Sequence, residues 1–199
     1  MKKIILSYIL SLGLLNAAYL NKDVAIIYNK KQIGSAKMLS EVNIIKENKD
    51  SYLLSLKAFV SDDYQEEMLK APNKNEVLAN FWDKNENATY KTEKNPYLKI
   101  IKEVEDEYAE LWYEVSIEFE AKKSDVVNTN ETLLKEAKAL YEQSCSACHR
   151  LHSPDSFTIN QWPSNIDSMI GLNYVDLSKE EKAMIIKYLQ TNAKDAKGE

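Results

Sequence analysis

Cys145, Cys148 and His149 form a CxxCH motif, and its two cysteines are the only ones in the chain. Each thiol can add to one vinyl group of a haem, and the two residues between them give the spacing that the vinyl groups require. The histidine that follows directly is placed to bind the iron as an axial ligand. The motif therefore predicts one covalent haem c, held by Cys145 and Cys148, with His149 on the iron.

The same motif has two other interpretations, a structural disulfide and a thioredoxin-like redox pair. A redox pair begins on the turn between a strand and a helix of a βαβ unit. The residues before the motif, 133–141, have a helical pattern instead, and nothing downstream indicates a parallel sheet. A disulfide gives no reason for His149 to follow Cys148, so the haem interpretation is favoured.

Three downstream side chains are candidates for the sixth iron ligand. If the preceding helix continues through Leu151, His152 lies one turn after His149 and on the same side of the haem, so that only a local unwinding would make it a ligand. Met169 lies 20 residues beyond His149, which is enough chain to reach the opposite face. Met184 falls on an apolar helical stripe, where a core role is expected. Met169 is the predicted ligand, and His152 is the alternative.

Residues 1–18 have the three parts of a secretory signal peptide: Lys2 and Lys3, a short apolar run, and small residues at Ala17 and Ala18. The apolar run is shorter than the ~20 residues that span a bilayer. Covalent haem attachment in bacteria takes place outside the cytoplasm, so a periplasmic location is predicted. A membrane tether is the alternative if the leader stays uncleaved.

The net negative charge argues against nucleic acid as a partner. Removal of the leader takes away two lysines, leaving 24 basic against 31 acidic residues and a formal charge near −7 instead of −5. Such a surface repels nucleic acid. A basic patch on a redox partner would complement it.

Residues 19–127 are predicted to form a β region. Apolar side chains alternate from Leu111 to Phe119, which indicates a half-buried antiparallel strand. Shorter apolar runs flank polar turns between residues 23 and 60. Residues 61–108 are rich in Lys, Glu, Asn and Asp, and are predicted to be a polar insertion with short helices around 65–69 and 76–82.

Residues 128–199 are predicted to be helical. Asn130 or Thr132 is placed to cap a helix that leads into the motif, and Ser178 with Glu181 forms a capping box for the last helix. Two helices that bracket a haem motif are typical of a small cytochrome c domain, in which the haem supplies much of the core.

The segment from Cys148 to Pro163, with Met169 and residues 188–195, resembles the C-terminal haem domain of TorC-type pentahaem cytochromes, which feed periplasmic trimethylamine N-oxide reductases. The match is dense over residues 140–195. Over 23–125 it is looser, and the resemblance there is to the SH3-like barrel that precedes the haem domain in that family.

The predicted fold class is α+β. The resemblance implies an N-terminal SH3-like small β-barrel followed by a small all-α cytochrome c domain, and the polar insertion at residues 61–108 has no counterpart in that family. It also implies electron delivery to a periplasmic molybdenum-containing N-oxide or S-oxide reductase. The family's tetrahaem N-terminal part has no counterpart here, so a membrane quinol-linked cytochrome is expected as the electron donor.

The predicted function is therefore electron transfer and not catalysis, because a six-coordinate iron leaves no position for a substrate. The alternative is a five-coordinate haem sensor or a peroxidase-like enzyme. That alternative needs a vacant distal face, and binding of carbon monoxide distinguishes the two.

Overall fold

The computed structural model describes residues 17–82, 94–146 and 150–196, which form ten strands and three helices. In chain order, the strands are β1 (Ala17–Leu20), β2 (Val24–Tyr28), β3 (Lys31–Ala36), β4 (Glu41–Glu47), β5 (Ser51–Ser61), β6 (Glu67–Ala71), β7 (Lys74–Phe81), β8 (Lys99–Glu105), β9 (Leu111–Lys122) and β10 (Val126–Val127). The helices are α1 (Glu131–Cys145), α2 (Gln161–Gly171) and α3 (Lys179–Thr191).

The strands form one curled antiparallel sheet with the order β10-β1-β4-β5-β6-β7-β3-β2. The long strand β5 is the centre of this arrangement. One edge of β5 pairs with β9 over its whole length, from Ser51 opposite Lys122 to Ser61 opposite Trp112. The other edge is shared by β4 and β6, and β9 pairs on its far side with β8. Because β2 also contacts β9, the sheet curls around a single apolar interior.

The alternation predicted in β9 is confirmed. Its inward side chains, from Tyr113 to Ala121, are buried, whereas Glu118 and Glu120 between them are exposed. The inward residues pack against buried side chains of β1, β4 and β5, among them Leu20, Val42 and Leu54. Each large side chain buried in this way contributes about 1.5–3 kcal/mol relative to leaving it in water.

The predicted fold class is wrong in three respects. The described residues are mainly strand, and the sheet is larger than a small SH3-like barrel. The stretch predicted to be a polar insertion supplies β6, β7 and β8, apart from residues 83–93, which lie outside the described residues. The separate small all-α cytochrome c domain is not seen, because the described C-terminal part has only three helices and α3 is bonded to strand β7.

The short helices predicted around residues 65–69 and 76–82 are strands β6 and β7. Their apolar residues come in adjacent pairs, such as Met68-Leu69 and Val77-Leu78. A window this short does not distinguish the helical period of about 3.6 residues from the strand period of about 2. These segments form strands because β6 pairs with β7, and β7 pairs with β3. The local sequence pattern does not show such pairings.

The predicted N-termini of helices α1 and α3 agree with the structure. The capping box at α3 is confirmed: the Ser178 hydroxyl accepts from the Glu181 amide at 3.2 Å, and the Glu181 carboxylate accepts from the Ser178 amide at 2.8 Å. Asn130 stands at the N-cap of α1, although its side chain makes no capping bond. The boundary predicted after residue 127 falls between β10 and α1, and the division into two domains stays a prediction.

Most of the predicted leader, residues 1–16, lies outside the described residues. Ala17 and Ala18 belong to β1, where they pair with Asn43 and Val42, and Ala18 is fully buried. Cleavage after Ala17 would keep this buried side chain, whereas cleavage after Ala18 would remove it. In the part of the chain that the structure covers, no helix has both the length and the apolar character to cross a membrane.

A buried lysine attaches α3 to β7. Lys187 is only 7% exposed, and its ammonium group donates to the Val77 carbonyl at 2.7 Å and lies 3.4 Å from the Glu76 carboxylate. Lys70 lies 3.1 Å from the second oxygen of Glu76. Burial lowers the pKa of Lys187 to about 8, and the attraction of Glu76 offsets only part of this effect.

Further polar contacts hold the turn before β7 against the helical part. The Asn160 amide donates to the Asn73 carbonyl at 2.7 Å, and its oxygen accepts from the Asn75 amide at 2.7 Å. Lys74 forms an ion pair with Asp195. The buried Gln190 donates to the Asn75 carbonyl at 3.0 Å. These contacts fix the direction in which α3 leaves the sheet.

Replacement of Gly34 tests the sheet. A Cβ at this position would lie 2.4 Å from the Asn80 carbonyl oxygen on the paired strand β7. We expect Gly34→Ala to destabilise the protein by about 1–3 kcal/mol, because the two backbones must separate. Urea unfolding measures the change. Gly171→Ala is the control, since nothing lies within 4 Å of its Cβ, and equal unfolding midpoints for the two variants would contradict the prediction.

The buried lysine predicts a pH dependence. The pKa of Lys187 is about 8 in the folded chain and about 10.4 when unfolded, so between these values the unfolded chain binds more protons. Stability should therefore rise across this window, by up to about 3 kcal/mol. Urea unfolding at several pH values should show this rise in the wild type and a smaller one in Lys187→Met. Parallel pH profiles would show that Lys187 is not the group responsible.

Candidate functional site

An apolar cavity of about 490 Å³ lies between α1, α2 and the segment that joins them. This volume is in the range of small-molecule and cofactor sites. The cavity is lined by Tyr141, Ser144, Cys145, Leu151, His152, Phe157, Trp162, Asn165, Ile166, Ser168, Met169, Tyr174 and Val175. Most of these side chains are aromatic or aliphatic, so the cavity suits a large flat apolar molecule with few polar groups.

The structure brings three of the predicted site residues together. Cys145, His152 and Met169 all line the cavity, whereas Met184 does not. Cys148 and His149 lie outside the described residues. Cys145 is the last residue of α1, so the CxxCH motif begins where this helix ends at the cavity wall.

The end of α1 changes the argument about His152. Because the helix ends at Cys145 and residues 150–153 have no regular structure, the condition that the helix continues through Leu151 is not met. The reason for placing His152 on the same side as His149 is therefore lost. The His152 ring packs edge-on against Phe157, with the ring centroids 5.1 Å apart. Met169 as sixth ligand, with His152 as the alternative, stays a prediction.

Helix α2, which the sequence analysis did not find, positions Met169. Trp162, Asn165, Ile166 and Met169 recur at helical spacing and all line the cavity, so they occupy one face of α2. The Trp162 indole is 2% exposed and donates to the Pro154 carbonyl at 2.8 Å. This anchor fixes the start of the helix, and Met169 lies two turns further on.

Tyr141 ties α1 to the segment that carries His152. Its hydroxyl donates to the His152 carbonyl at 2.9 Å, and its ring packs edge-on against Trp162 at 6.3 Å. Burial, with smaller contributions from Cys145 and Tyr188, raises the pKa of Tyr141 to about 12. The phenol therefore keeps its proton, and its role as donor, throughout the neutral range.

The environment of Cys145 bears on the competing redox interpretation. Cys145 is half-buried and has no disulfide partner among the described residues, and burial raises its pKa. Cysteines of thioredoxin-like pairs have lowered pKa values, because the thiolate is the reactive form. An apolar wall suits an uncharged thioether instead.

Asn165 is the polar exception in this wall. Its side-chain nitrogen is shielded from solvent and has no hydrogen-bond partner among the described residues. The Ser168 hydroxyl, by contrast, donates to the Ser164 carbonyl at 2.8 Å.

The donor set fits a haem of the c type. The thiol of Cys145, which could form a thioether, lines the same cavity as Met169 and His152, either of which could provide the sixth iron ligand. Aromatic side chains that could pack against a porphyrin line it as well. The sequence analysis missed Asn165, Phe157 and the aromatic wall. The helical spacing of Trp162, Ile166 and Met169 is the sequence signal that indicates helix α2.

Comparison with known proteins finds relatives of this chain by sequence alone. No family model matches the chain, and no solved structure matches it. The chain is 27% identical over 181 residues to the cytochrome c-type protein TorC of Escherichia coli O157:H7, and equally to that of strain K12. It is 30% identical over 100 residues to the cytochrome c-type protein TorY of Haemophilus influenzae.

The extent of these matches differs between the two proteins. The TorC alignments cover 88% of this chain and 44% of TorC, so the chain spans less than half the length of these relatives. The TorY alignment covers 50% of this chain and 27% of TorY. The resemblance predicted from the motif and its flanking residues is therefore confirmed: the chain is similar to TorC-type cytochrome c proteins over most of its length.

Proposed function

We propose that this protein is a periplasmic c-type cytochrome that passes single electrons to a molybdenum-containing reductase of trimethylamine N-oxide or a related S-oxide. One observation carries the proposal: Cys145, His152 and Met169 converge on a single apolar cavity. The similarity to TorC over 88% of the chain supports it.

The chain's own residues suffice to hold the cofactor. Cys145 and Cys148 would form the thioether bonds, His149 would bind one face of the iron, and Met169 or, alternatively, His152 would bind the other. When bound, the haem supplies a one-electron ferrous–ferric couple. A single CxxCH motif corresponds to a single haem.

The surrounding side chains determine how readily the iron changes its charge. As an iron ligand, the sulfur of Met169 would be a soft, neutral donor that favours the ferrous state. Aromatic side chains such as Phe157 and Trp162 would shield a bound haem from water. The hydrogen bonds from Tyr141 to the His152 carbonyl and from Trp162 to the Pro154 carbonyl hold the joining segment at two points. Little rearrangement is then needed when an electron arrives or leaves.

One end of the cavity reaches the surface, where electrons would pass. Tyr174 lines the cavity and is 63% exposed, and Leu172 beside it is also exposed. Redox partners need only a small, short-lived contact at such a place. Reduction of an N-oxide takes two electrons and two protons, so the reductase would receive two successive single electrons. The donor would be a quinol-linked membrane cytochrome.

The first test is whether the cofactor is attached. We expect mass spectrometry of the full chain, exported to a bacterial periplasm, to show the polypeptide plus one haem, and pyridine haemochrome analysis to give one haem per chain. Cys145→Ser and Cys148→Ser should lose the two-thioether product. An unmodified polypeptide in the exported wild type would refute the proposal.

The second part of the same test concerns the partner. Reduced wild-type protein should be reoxidised when both the reductase and trimethylamine N-oxide are present, and not with either alone. Stopped-flow absorption at the haem bands follows this reaction. A haem-loaded protein that no N-oxide or S-oxide reductase reoxidises would keep the cytochrome assignment and reject the partner.

Met169→Ala tests the sixth ligand. We expect this variant to lose any sulfur-to-iron absorption and to have a midpoint potential lower by ~0.1 V or more, because a ligand that favours ferrous iron is removed. Met184→Ala is the matched control, since Met184 does not line the cavity. If His152→Ala produces these changes instead, His152 is the ligand. Direct binding of carbon monoxide by the wild type, with neither variant altered, would favour a five-coordinate sensor or peroxidase-like protein.

A further inference from the structure

An exposed patch of large apolar side chains and lysines lies where the tip of the β2–β3 hairpin meets the start of β8. We call it the distal patch, and it consists of Ile27, Tyr28, Lys30, Lys31, Lys99, Ile100 and Ile101. Its four large apolar side chains are each between 44% and 55% exposed. A single exposed apolar side chain is ordinary on a protein surface, but several together with a polar rim mark an interaction site.

The two segments of the distal patch are neighbours in space although about 70 residues separate them in the chain. The Tyr28 ring packs against the ring of Tyr97, two residues before β8, with the centroids 5.2 Å apart. Strand β2 also contacts β9, the strand with which β8 pairs. The exposed side chains of the two segments therefore belong to one surface.

The distal patch is basic on a chain that is acidic overall. Residues 24–40 and 94–102 contain six lysines and neither Asp nor Glu, although 31 of the 199 residues are acidic. Lys37 and Lys102 are paired, with Asp23 at 3.0 Å and Glu114 at 3.1 Å. Within the described ranges, none of the three lysines of the patch forms an ion pair. The patch therefore retains its positive charge.

The distal patch lies away from the point where the sheet meets the helices. The Asn73 amide donates to the Asp106 carboxylate, just after β8, at 2.5 Å, and the Asn73 carbonyl accepts from Asn160. The end of β8 thus adjoins the helical part. Because seven extended residues cover about 20 Å, the start of β8 lies about that far from this connection.

The chemistry of the distal patch fits the surface of an anionic lipid bilayer. Lysine ammonium groups attract lipid phosphates, while isoleucine and tyrosine side chains enter the boundary between headgroups and acyl chains. The apolar stem of each lysine can follow them while its charge stays in water. A second copy of this chain fits less well, because it would bring two sets of unpaired lysines together.

We propose that the distal patch docks this protein on the surface of a bilayer that contains anionic phospholipid. The inference goes beyond the proposed function and does not depend on the haem. Docking of this kind is peripheral and reversible, because no segment has to cross the bilayer.

The geometry gives this docking a use in electron transfer. The connection to the helical part would lie about 20 Å from the lipid-facing end of β8. The cavity would then stay accessible to a periplasmic reductase. Confinement to the membrane surface would also raise the frequency of encounters with a membrane-bound electron donor.

The experiment measures co-sedimentation of the full exported chain with vesicles made of equal parts of phosphatidylglycerol and phosphatidylethanolamine. We expect binding at low ionic strength and release at ~0.5 M salt, because salt screens the attraction between exposed charges. Vesicles of phosphatidylcholine alone should bind little protein, since they carry no net charge. Equal binding to the two kinds of vesicle, or none to either, would overturn the proposal.

Two double variants test the residues of the distal patch. Lys30→Gln with Lys99→Gln should lower the partition coefficient on the anionic vesicles by ~10- to 30-fold, because each lysine near the surface contributes roughly fivefold. Ile27→Asn with Ile100→Asn should lower it by roughly tenfold, through loss of apolar contact with the lipid. All four side chains are exposed, so the folded chain should tolerate these changes.

Matched controls separate the patch from overall charge and apolarity. Lys135→Gln with Lys179→Gln removes the same charge from exposed positions on α1 and α3, and Ile45→Asn removes an exposed isoleucine from β4. Both should bind vesicles like the wild type. If the lysine control loses as much binding as the patch variant, net charge and not the distal patch is responsible, and the proposal fails.

Two further outcomes concern other occupants and the proposed function. If analytical ultracentrifugation shows a dimer that the patch variants abolish while vesicle binding persists, the patch pairs two copies of the chain and the proposal is wrong. A haem-free chain that binds vesicles through the patch would overturn the proposed function and support this inference. A haem-loaded chain that binds no anionic vesicles would do the reverse.

Discussion

The arrangement of the molecule depends on an ammonium group that is kept from water where the sheet meets the helices. Lys187 is stabilised there by the Glu76 carboxylate and the Val77 carbonyl of β7. A buried charge without such partners is strongly unfavourable, so these two contacts favour the position of α3 in which Lys187 reaches β7. On the opposite face of α3, the fully buried Ile185 and Leu189 belong to the apolar cluster beneath the cavity. The sheet thus sets the position of α3, and α3 sets the position of the cavity wall.

That wall combines rigidity with low polarity, which are the properties an electron carrier needs. The aromatic rings of Tyr141, Phe157 and Trp162 pack against one another edge-on, so that none can turn without displacing its neighbours. Their hydroxyl and indole groups are bonded to backbone carbonyls of the joining segment. A site of this kind keeps its geometry when the charge of a bound iron changes by one unit. Both the helices and the joining segment contribute to it.

The sequence was informative wherever a pattern was long or chemically distinctive. The alternation in β9 extends over enough residues to exclude a helix. The capping box of α3 depends on two side chains at a fixed spacing, each of which bonds the backbone of the other residue. The CxxCH motif has few interpretations. Strands β6 and β7 were missed because five to eight residues with adjacent apolar pairs do not define a period, and their partners are distant in the chain. The site was predictable by residue type but not by geometry. The placement of His152 depends on where α1 ends, and that of Met169 depends on which face of α2 lines the cavity.

The pairing of β1 with β10 has a consequence for how this chain can be joined to other units. Tyr19 lies opposite Val127 and Leu20 opposite Val126, so the sheet is entered and left at neighbouring points. A polypeptide fused ahead of Ala17 would emerge beside the start of α1, and not at the far side of the sheet. The chain can therefore be fused behind different N-terminal domains without disturbing the hydrogen bonds between β1 and β10. A purification handle added at that end would likewise come out near the start of the helical part.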